Sequence, residues 1–236
     1  MNKSKGQLIV ALDVAALDEA KKLVRSLDGV VDIFKVGSQL FTACGPDAVR
    51  YLLKEGKQVF LDLKFHDIPN TVASAVVAAA NIKEGGRGIM MCTLHTLGGL
   101  EMLKMAVEAA KRIDAARKLL LVGITVLTSD EKKDNIAALV LERAKLAKQA
   151  GLDGVVASSQ EAALIRRELG KDFIIVTPGI RPKDSAAGDQ KRVTTPFDAI
   201  KNGSDFLVVG RPIVNSPDPK TAAKQILKEI AQASGG

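Results

Sequence analysis

A lysine lies between two carboxylates where an apolar segment ends. Residues 58–61 read QVFL, and Asp62, Lys64 and Asp67 follow. Because alternate residues of a β-strand share a face, we expect Asp62 and Lys64 to point the same way, with Asp67 in the loop beyond. Neighbouring carboxylates favour the charged ammonium, whereas Schiff-base chemistry requires a neutral amine. The pattern therefore predicts that Lys64 donates a proton and stabilises a carbanion.

Lys35 adds a further charge, so that Lys35, Asp62, Lys64 and Asp67 alternate in sign along the chain. Two interpretations of this set stay open. One is a structural ion-pair network, because buried charges are stable only when they are paired. The other is a preorganised electrostatic field that holds a protonated lysine ready for reaction.

The elements that must position these side chains are read from hydrophobic periodicity. Eight short apolar segments alternate with amphipathic ones, which predicts a parallel sheet. The predicted strands are 8–14, 33–37, 58–64, 88–95, 119–126, 154–159, 173–180 and 206–211. The predicted helices are 17–27, 46–54, 72–82, 99–113, 135–149, 160–169, 196–201 and 219–231.

Eight such units predict a single (β/α)8 TIM barrel domain that spans residues 1–236. An open doubly wound sheet would instead need a glycine-rich turn after its first strand, and residues 10–14 contain no glycine. In barrels of this kind, reactive groups lie at the carboxyl ends of the strands. Polar residues at the predicted strand ends include Asp13, Lys35, Asp62, Lys64, Asp67, His95, Thr128, Ser158, Arg181 and Arg211.

The last predicted strand ends in a pattern suited to phosphate. In residues 208–212, Gly210 offers an amide that a ligand can approach closely, and the Arg211 guanidinium can bind two phosphate oxygens. Barrels of this class often bind phosphate after strands seven and eight. The preceding loop, 181–193, is rich in small and charged residues, as a closing lid would be.

The charge balance argues for a small anionic ligand. The net charge is +7, but aromatic residues make up only 3% of the 236 residues and tryptophan is absent. A protein that binds nucleic acid would cluster its basic residues and supply aromatic stacking platforms. We therefore expect no nucleic-acid partner.

The remaining composition predicts a cytoplasmic protein. No segment reaches the roughly 18–20 apolar residues that span a bilayer, and Asp13 interrupts the apolar start too early for a secretory signal. Cys44 and Cys92 are far apart and lack metal-ligand spacing, so we expect free thiols and no metal site.

The segment 62–71, DLKFHDIPNT, resembles the signature of the orotidine 5′-phosphate decarboxylase family in its bacterial form. The similarity runs over essentially the whole chain. It includes residues 11–13, 34–37, 126–129, 177–182, 187–192 and 209–212. The resemblance implies a cofactor-free barrel enzyme that converts orotidine 5′-monophosphate to UMP and CO2.

The resemblance also implies roles for the charged residues. Lys64 would protonate C6 of the pyrimidine after CO2 leaves, and Asp62 would crowd the substrate carboxylate. Lys35 would hold Asp62 and contact the ribose, whose hydroxyls Asp13 would bind. In the homodimer of the family, Asp67 would reach into the partner's site.

Further residues would bind the rest of the substrate. Thr71 would also reach the partner's site, and Thr128 would contact the amide edge of the pyrimidine. Gln190 would bind phosphate from a lid that begins near Arg181, itself expected to bind substrate. Gly210 and Arg211 would complete the phosphate site.

Two rival functions remain. Sister barrels share the DxKxxD pattern but use Mg²⁺ on keto-sugar phosphates, with a glutamate ligand where this chain has Lys35, whose ammonium would repel the metal. A non-catalytic barrel that senses UMP would need the phosphate site, but not Asp62, Lys64 and Asp67 together.

Overall fold

The strands close into a barrel, as the alternating pattern predicts. A computed structural model describes residues 6–113, 119–127, 135–182 and 193–235. Its barrel strands are β1 (Gln7–Ala11), β2 (Ile33–Gly37), β3 (Gln58–Phe65), β4 (Met91–His95), β5 (Leu120–Ile124), β6 (Gly154–Val156), β7 (Ile174–Thr177) and β8 (Phe206–Val209). Each strand pairs in parallel with the next, and β8 pairs with β1. The (β/α)8 prediction is confirmed.

Helices follow the strands and cover the outside of the barrel. They are α1 (Leu17–Ser26), α2 (Ser38–Cys44), α3 (Asp47–Lys54), α4 (Pro69–Ala80), α5 (Gly99–Lys111), α6 (Ile136–Ala150), α7 (Ser159–Leu169), α8 (Pro196–Lys201), α9 (Arg211–Val214) and α10 (Pro219–Ser234). No helix in these described ranges is both long and apolar enough to cross a membrane.

The predicted strand boundaries were partly wrong. The predicted last strand, 206–211, stops at Val209, and Arg211 begins the short helix α9 instead. Gly210 has φ −108° and ψ −101°, outside the strand region, and Pro212 in the first turn favours a helix start. In the predicted strand 88–95, Gly88 belongs to a separate two-stranded ribbon with Lys83–Glu84.

Two apolar layers hold the barrel. One lies between strands and helices. The other fills the barrel interior with residues of alternate strand positions: Ile9, Ala11, Ile33, Phe60, Met91, Val122, Val176, Phe206 and Val208. These layers fix the strand ends, and with them the side chains at the mouth of the barrel.

Candidate active site

A cavity of about 230 Å³ lies at the carboxyl ends of the barrel strands. One part of its wall is charged and another is apolar. The lining residues are Ala11, Asp13, Lys35, Phe60, Asp62, Lys64, Ile124, Val126, Leu127, Val156, Pro178, Gly179, Arg181, Val208, Gly210 and Arg211. The cavity therefore collects residues from β1, β2, β3, β5, β6, β7 and β8 or the loops that follow them.

Four charged side chains form a chain of contacts along this wall. Lys35 Nζ lies 3.0 Å from Asp13 Oδ1 and 3.7 Å from Asp62 Oδ2. Lys64 Nζ lies 2.9 Å from the same Asp62 oxygen. The sequence of charges is therefore Asp13, Lys35, Asp62, Lys64, in which Asp62 lies between two ammonium groups.

The middle of this chain is shielded from solvent, whereas its end is accessible. The Lys35 and Asp62 side chains are 12% and 11% exposed, and that of Lys64 is 37% exposed. Burial of charges is costly unless they are paired, so Lys35 depends on Asp13 and Asp62, and Asp62 depends on Lys35 and Lys64. Lys64 can reach a ligand in the cavity while it keeps its contact with Asp62.

The backbone around Lys64 is irregular. Leu61 pairs with Cys92 and Phe65 pairs with Leu94, so residues 62–64 of β3 form a bulge opposite Thr93 alone. Lys64 has φ 52°, a left-handed conformation that non-glycine residues rarely adopt. Simple alternation predicted that Asp62 and Lys64 would meet; they do, but in a bulge of the kind that redirects side chains near active sites.

Sequence reasoning missed Thr93, which contacts both members of this pair. Its Oγ1 accepts a hydrogen bond from the Lys64 backbone N–H at 2.8 Å and donates one to Asp62 Oδ1 at 3.0 Å. Thr93 is completely buried. Its signal in the sequence is a hydroxyl between the apolar residues Cys92 and Leu94.

Gly37 makes room for the Lys35 ammonium. A Cβ atom at this position would lie 2.9 Å from Lys35 Nζ and 3.6 Å from Asp13 Oδ1. The side chain of Lys35 therefore turns over the Gly37 backbone to reach its carboxylates.

The predicted phosphate-binding residues Gly210 and Arg211 follow β8, which is the neighbour of β1 in the barrel. Gly210 and Arg211 line the cavity at the start of α9, and Arg181 lines it after β7. Arg181 is buried and donates from Nη1 to the Ile180 carbonyl at 2.8 Å. A Cβ at Gly210 would lie 3.3 Å from Asp13 Oδ2, so the backbone here is close to the charged chain.

Asp67 and Thr71 lie outside the cavity of their own chain. Asp67 is exposed, and its Oδ1 accepts the backbone N–H of Ile68 at 2.6 Å. Thr71 is exposed in the first turn of α4. Thr128 and Gln190 lie outside the described residues.

The two histidines stack on each other beside this loop. The rings of His66 and His95 are 5.4 Å apart between centroids, with an angle of 28° between planes. His95 Nδ1 accepts the backbone N–H of Leu97 at 3.2 Å. No group of His, Cys, Asp and Glu that could hold a metal ion occurs within residues 6–113, 119–127, 135–182 and 193–235.

The apolar part of the wall was also not predicted as part of the site. It comprises Phe60, Ile124, Val126, Leu127, Val156 and Val208. Apolar residues at strand ends read as core in the sequence, and only closure of the barrel brings them to one cavity.

This (β/α)8 barrel has a cavity at the carboxyl ends of its strands, and the cavity is lined by paired lysines and carboxylates and by arginines. These are the features of an enzyme of this fold. Residues 6–226 match the family described as orotidine 5′-phosphate decarboxylase / HUMPS. The chain belongs to this family.

Similar proteins bear out this membership. The chain is 49% identical to the orotidine 5′-phosphate decarboxylase of Syntrophotalea carbinolica over 98% of this chain and 97% of that protein. It is 47% identical to the orotidine 5′-phosphate decarboxylase of Geobacter metallireducens over 97% of this chain and 98% of that protein. A crystal structure of the Lactobacillus acidophilus enzyme superposes with a TM-score of 0.81 at 37% identity, covering 95% of this chain and 98% of that one.

Proposed function

We propose that this chain decarboxylates orotidine 5′-monophosphate to UMP and CO2, the last step in making UMP. The observation that carries the proposal is the Lys64 ammonium, held 2.9 Å from Asp62 at the edge of the cavity. Relatives that share almost half of the sequence are orotidine 5′-phosphate decarboxylases. The described residues 6–235, with their gaps, form one barrel, so we propose a single domain for residues 1–236.

The distribution of charge in the cavity suggests how the substrate lies. The phosphate would bind Gly210 and Arg211, and Arg181 and Gln190 would contribute further contacts. The ribose hydroxyls would face Asp13 and Lys35. Binding energy from the phosphate then supports events at the distant ring.

The pyrimidine would lie between the apolar wall and the charged chain. Its C6 carboxylate would approach Asp62, and Thr128 would bind the amide edge of the ring. A carboxylate close to another carboxylate in a half-desolvated site is unfavourable, and loss of CO2 relieves this repulsion. The nearby Lys64 ammonium stabilises the carbanion that forms, because its charge is already in position.

The proposed reaction breaks one carbon–carbon bond and forms one carbon–hydrogen bond. The bond between C6 and the carboxyl carbon breaks, and its electron pair stays on C6 while neutral CO2 leaves. Lys64 then transfers one ammonium proton to C6, which gives UMP and a neutral amine. The amine regains its proton from water before the next cycle.

Lys35 supports a reaction without a metal ion. Its ammonium lies between Asp13 and Asp62, the carboxylates that a divalent cation would otherwise bridge. A cation there would meet a fixed positive charge at contact distance. The family name also covers a second class of enzyme, and this lysine is the feature that argues against Mg²⁺-dependent chemistry.

We also propose a homodimer with sites shared between protomers. Asp67 and Thr71 lie outside their own cavity, at one end of a surface that exposes apolar side chains. Ile68 is 67% exposed and Leu97 58% exposed, and both lie in loops that follow adjacent strands. An apolar surface beside exposed polar groups fits a partner subunit whose cavity these groups complete.

The state of the cysteines fits a reducing compartment, and we propose the cytoplasm. Cys44 and Cys92 are both free. Burial, aided by the charge of Asp153, raises the pKa of the Cys92 thiol to about 12, so it is a neutral core residue rather than a reactive one.

The decisive assay adds orotidine 5′-monophosphate to the protein with excess EDTA and follows the loss of substrate absorbance. We expect UMP as product from the wild-type chain and almost none from Lys64→Ala. Turnover of a keto-sugar phosphate only after Mg²⁺ is added would instead assign the chain to the sister branch.

The shared site has a separate test in mixed variants. Lys64→Ala and Asp67→Asn are each expected to be inactive, but hybrid dimers contain one site in which both residues are intact. Random exchange of equal amounts should restore activity in about a quarter of the sites. No recovery in a mixture proved to contain hybrids would show that Asp67 does not act across the interface.

A further inference from the structure

The Thr93 hydroxyl, in the middle of β4, joins the two charged residues at the centre of the site. It accepts the Lys64 backbone N–H at 2.8 Å and donates its own proton to Asp62 Oδ1 at 3.0 Å. Thr93 does not line the cavity. Any effect on the reaction must therefore pass through the two residues that it contacts.

The bulge explains why the chain needs a hydroxyl here. Residues 62–64 oppose Thr93 alone, so the regular ladder of backbone hydrogen bonds between β3 and β4 is interrupted. An amide left without a partner in a partly buried site destabilises the fold. The Thr93 Oγ1 replaces the missing carbonyl and holds Lys64 in its left-handed conformation, φ 52°.

The same hydroxyl also orients the carboxylate. A threonine hydroxyl has one proton to donate, and here that proton binds Asp62 Oδ1. The other oxygen, Oδ2, is then left facing Lys64 at 2.9 Å and Lys35 at 3.7 Å. One side chain thus fixes both the backbone of the lysine and the rotation of its carboxylate partner.

We propose that Thr93 is a positioning residue for decarboxylation, which sets the Lys64–Asp62 geometry without touching the substrate. This inference rests on the proposed function for its effect on turnover, but not for its geometry. Because reacting groups must be held within a fraction of an ångström, loss of the hydroxyl should lower kcat while leaving the phosphate and ribose contacts intact.

The first test compares Thr93→Val with Thr93→Ser. Valine keeps the shape and removes both hydrogen bonds, and we expect kcat to fall about 10- to 100-fold with KM within about twofold. Serine keeps the hydroxyl and should restore kcat to within about threefold of wild type. The affinity for the product UMP should be unchanged in both variants.

A matched control separates this effect from loss of a buried hydroxyl in general. Ser204 lies just before β8, and its buried hydroxyl hydrogen-bonds to that of Thr177 at 2.6 Å rather than to the charged chain. Ser204→Ala should lower thermal stability but leave kcat unchanged. If Thr93→Val does not fold, Thr93→Cys keeps the volume with a much weaker donor and should also lower kcat.

Hydrogen exchange at the Lys64 amide tests the geometry without any substrate. We expect this amide to exchange faster in Thr93→Val than in the wild type and in Ser204→Ala. Unchanged kcat in folded Thr93→Val or Thr93→Cys, or equal loss in Thr93→Ser and Thr93→Val, would overturn the positioning role. If the wild type itself did not turn over orotidine 5′-monophosphate, the proposed function would fail, and the amide exchange would still decide whether Thr93 holds Lys64.

Discussion

The two ends of the barrel both carry paired charges, but the pairs differ in what else they bind. At the amino end, Arg166 donates to the carbonyls of Phe173 and Gly203 and to Asp205, and Asp205 accepts the Ile175 backbone N–H. These charges connect main-chain groups at the starts of β7 and β8. Their geometry serves the fold.

At the carboxyl end, the charges bind one another. In the described part of the chain, the side chains of Lys35 and Lys64 form hydrogen bonds and ion pairs only with carboxylates. The four charged residues that line the cavity together are Asp13, Lys35, Asp62 and Lys64.

At the amino end, the side-chain ion pairs of Lys57 within the described residues are also with carboxylates, those of Asp28 and Asp32, but Lys57 does not line the cavity. Charges that hold no backbone group and also line the cavity are available for a ligand, which is why we propose a catalytic role for the set at the carboxyl end.

The largest effect should come from removing the cation at the carboxyl end. In the proposed mechanism, Lys64→Ala deletes both the proton donor and the charge beside C6, and we expect kcat to fall at least ~10³-fold, while the protein stays folded. Steady-state assays and circular dichroism measure the two properties. The exposed Lys111→Ala is the control, and near-normal turnover in Lys64→Ala would remove Lys64 from the mechanism.

The converse variant removes the cation at the amino end of the barrel. Arg166→Ala leaves three carbonyls, those of Gly170, Phe173 and Gly203, and Asp205 without their cation. We expect the free energy of unfolding to fall by about 2–4 kcal/mol. Turnover per folded molecule should not change. Urea denaturation compares it with Arg167→Ala, whose side chain is exposed; a loss of kcat in folded Arg166→Ala would contradict the distinction between the two ends.

Substitution of Arg211, a proposed phosphate ligand, should affect substrate binding more than the chemical step. Arg211→Ala removes a guanidinium from the cavity, and we expect KM to rise about 10- to 100-fold with a smaller change in kcat. Arg211→Lys keeps the charge without the paired donors and should give an intermediate KM. An unchanged KM in the alanine variant would move the phosphate site elsewhere.

A single methyl group at Gly37 should displace the Lys35 ammonium. In Gly37→Ala the new Cβ would lie 2.9 Å from Lys35 Nζ, so the ammonium must move away from Asp13 and Asp62. We expect kcat to fall about tenfold with little change in stability. Gly88→Ala, where a Cβ meets only ordinary contacts at 3.9 Å or more, is the control; equal kinetics in both variants would argue against this role for Gly37.

The smallest expected effect is a pH-dependent change in stability from an ion pair at the amino end of the barrel. The hydrogen bond and charge of Lys57 hold the pKa of Asp28 below its usual value. A lowered folded pKa stabilises the native state above the unfolded value of about 3.9, and this stabilisation is lost as pH falls through the folded pKa. Unfolding of wild type and Asp28→Asn should therefore differ slightly at neutral pH, and the difference should shrink as pH falls below about 4 and through the lowered folded pKa. A constant difference across this range would assign the stability effect to something other than ionisation.

Much of the fold was predictable because it depends on local patterns. Alternating strand and helix periods gave the eight units and their order, and α8 spans Pro196–Lys201, as predicted. The ends of strands were less predictable. Val126 and Leu127 continue an apolar segment but line the cavity rather than the sheet, because the sequence does not show where a strand leaves its neighbours.

The sequence by itself determined which chemical groups are available: Lys35, Asp62 and Lys64 at strand ends, with Gly210 and Arg211 as candidates for phosphate binding. Tertiary structure alone decided which of them meet. Asp13 rather than Asp67 joins the charged chain within one protomer, and Thr93 enters the site through a bulge that no period in the sequence indicates. The physical reason is that hydrophobic periodicity is a local property of the chain, whereas a hydrogen bond between strands depends on their register, which is fixed only when the barrel closes.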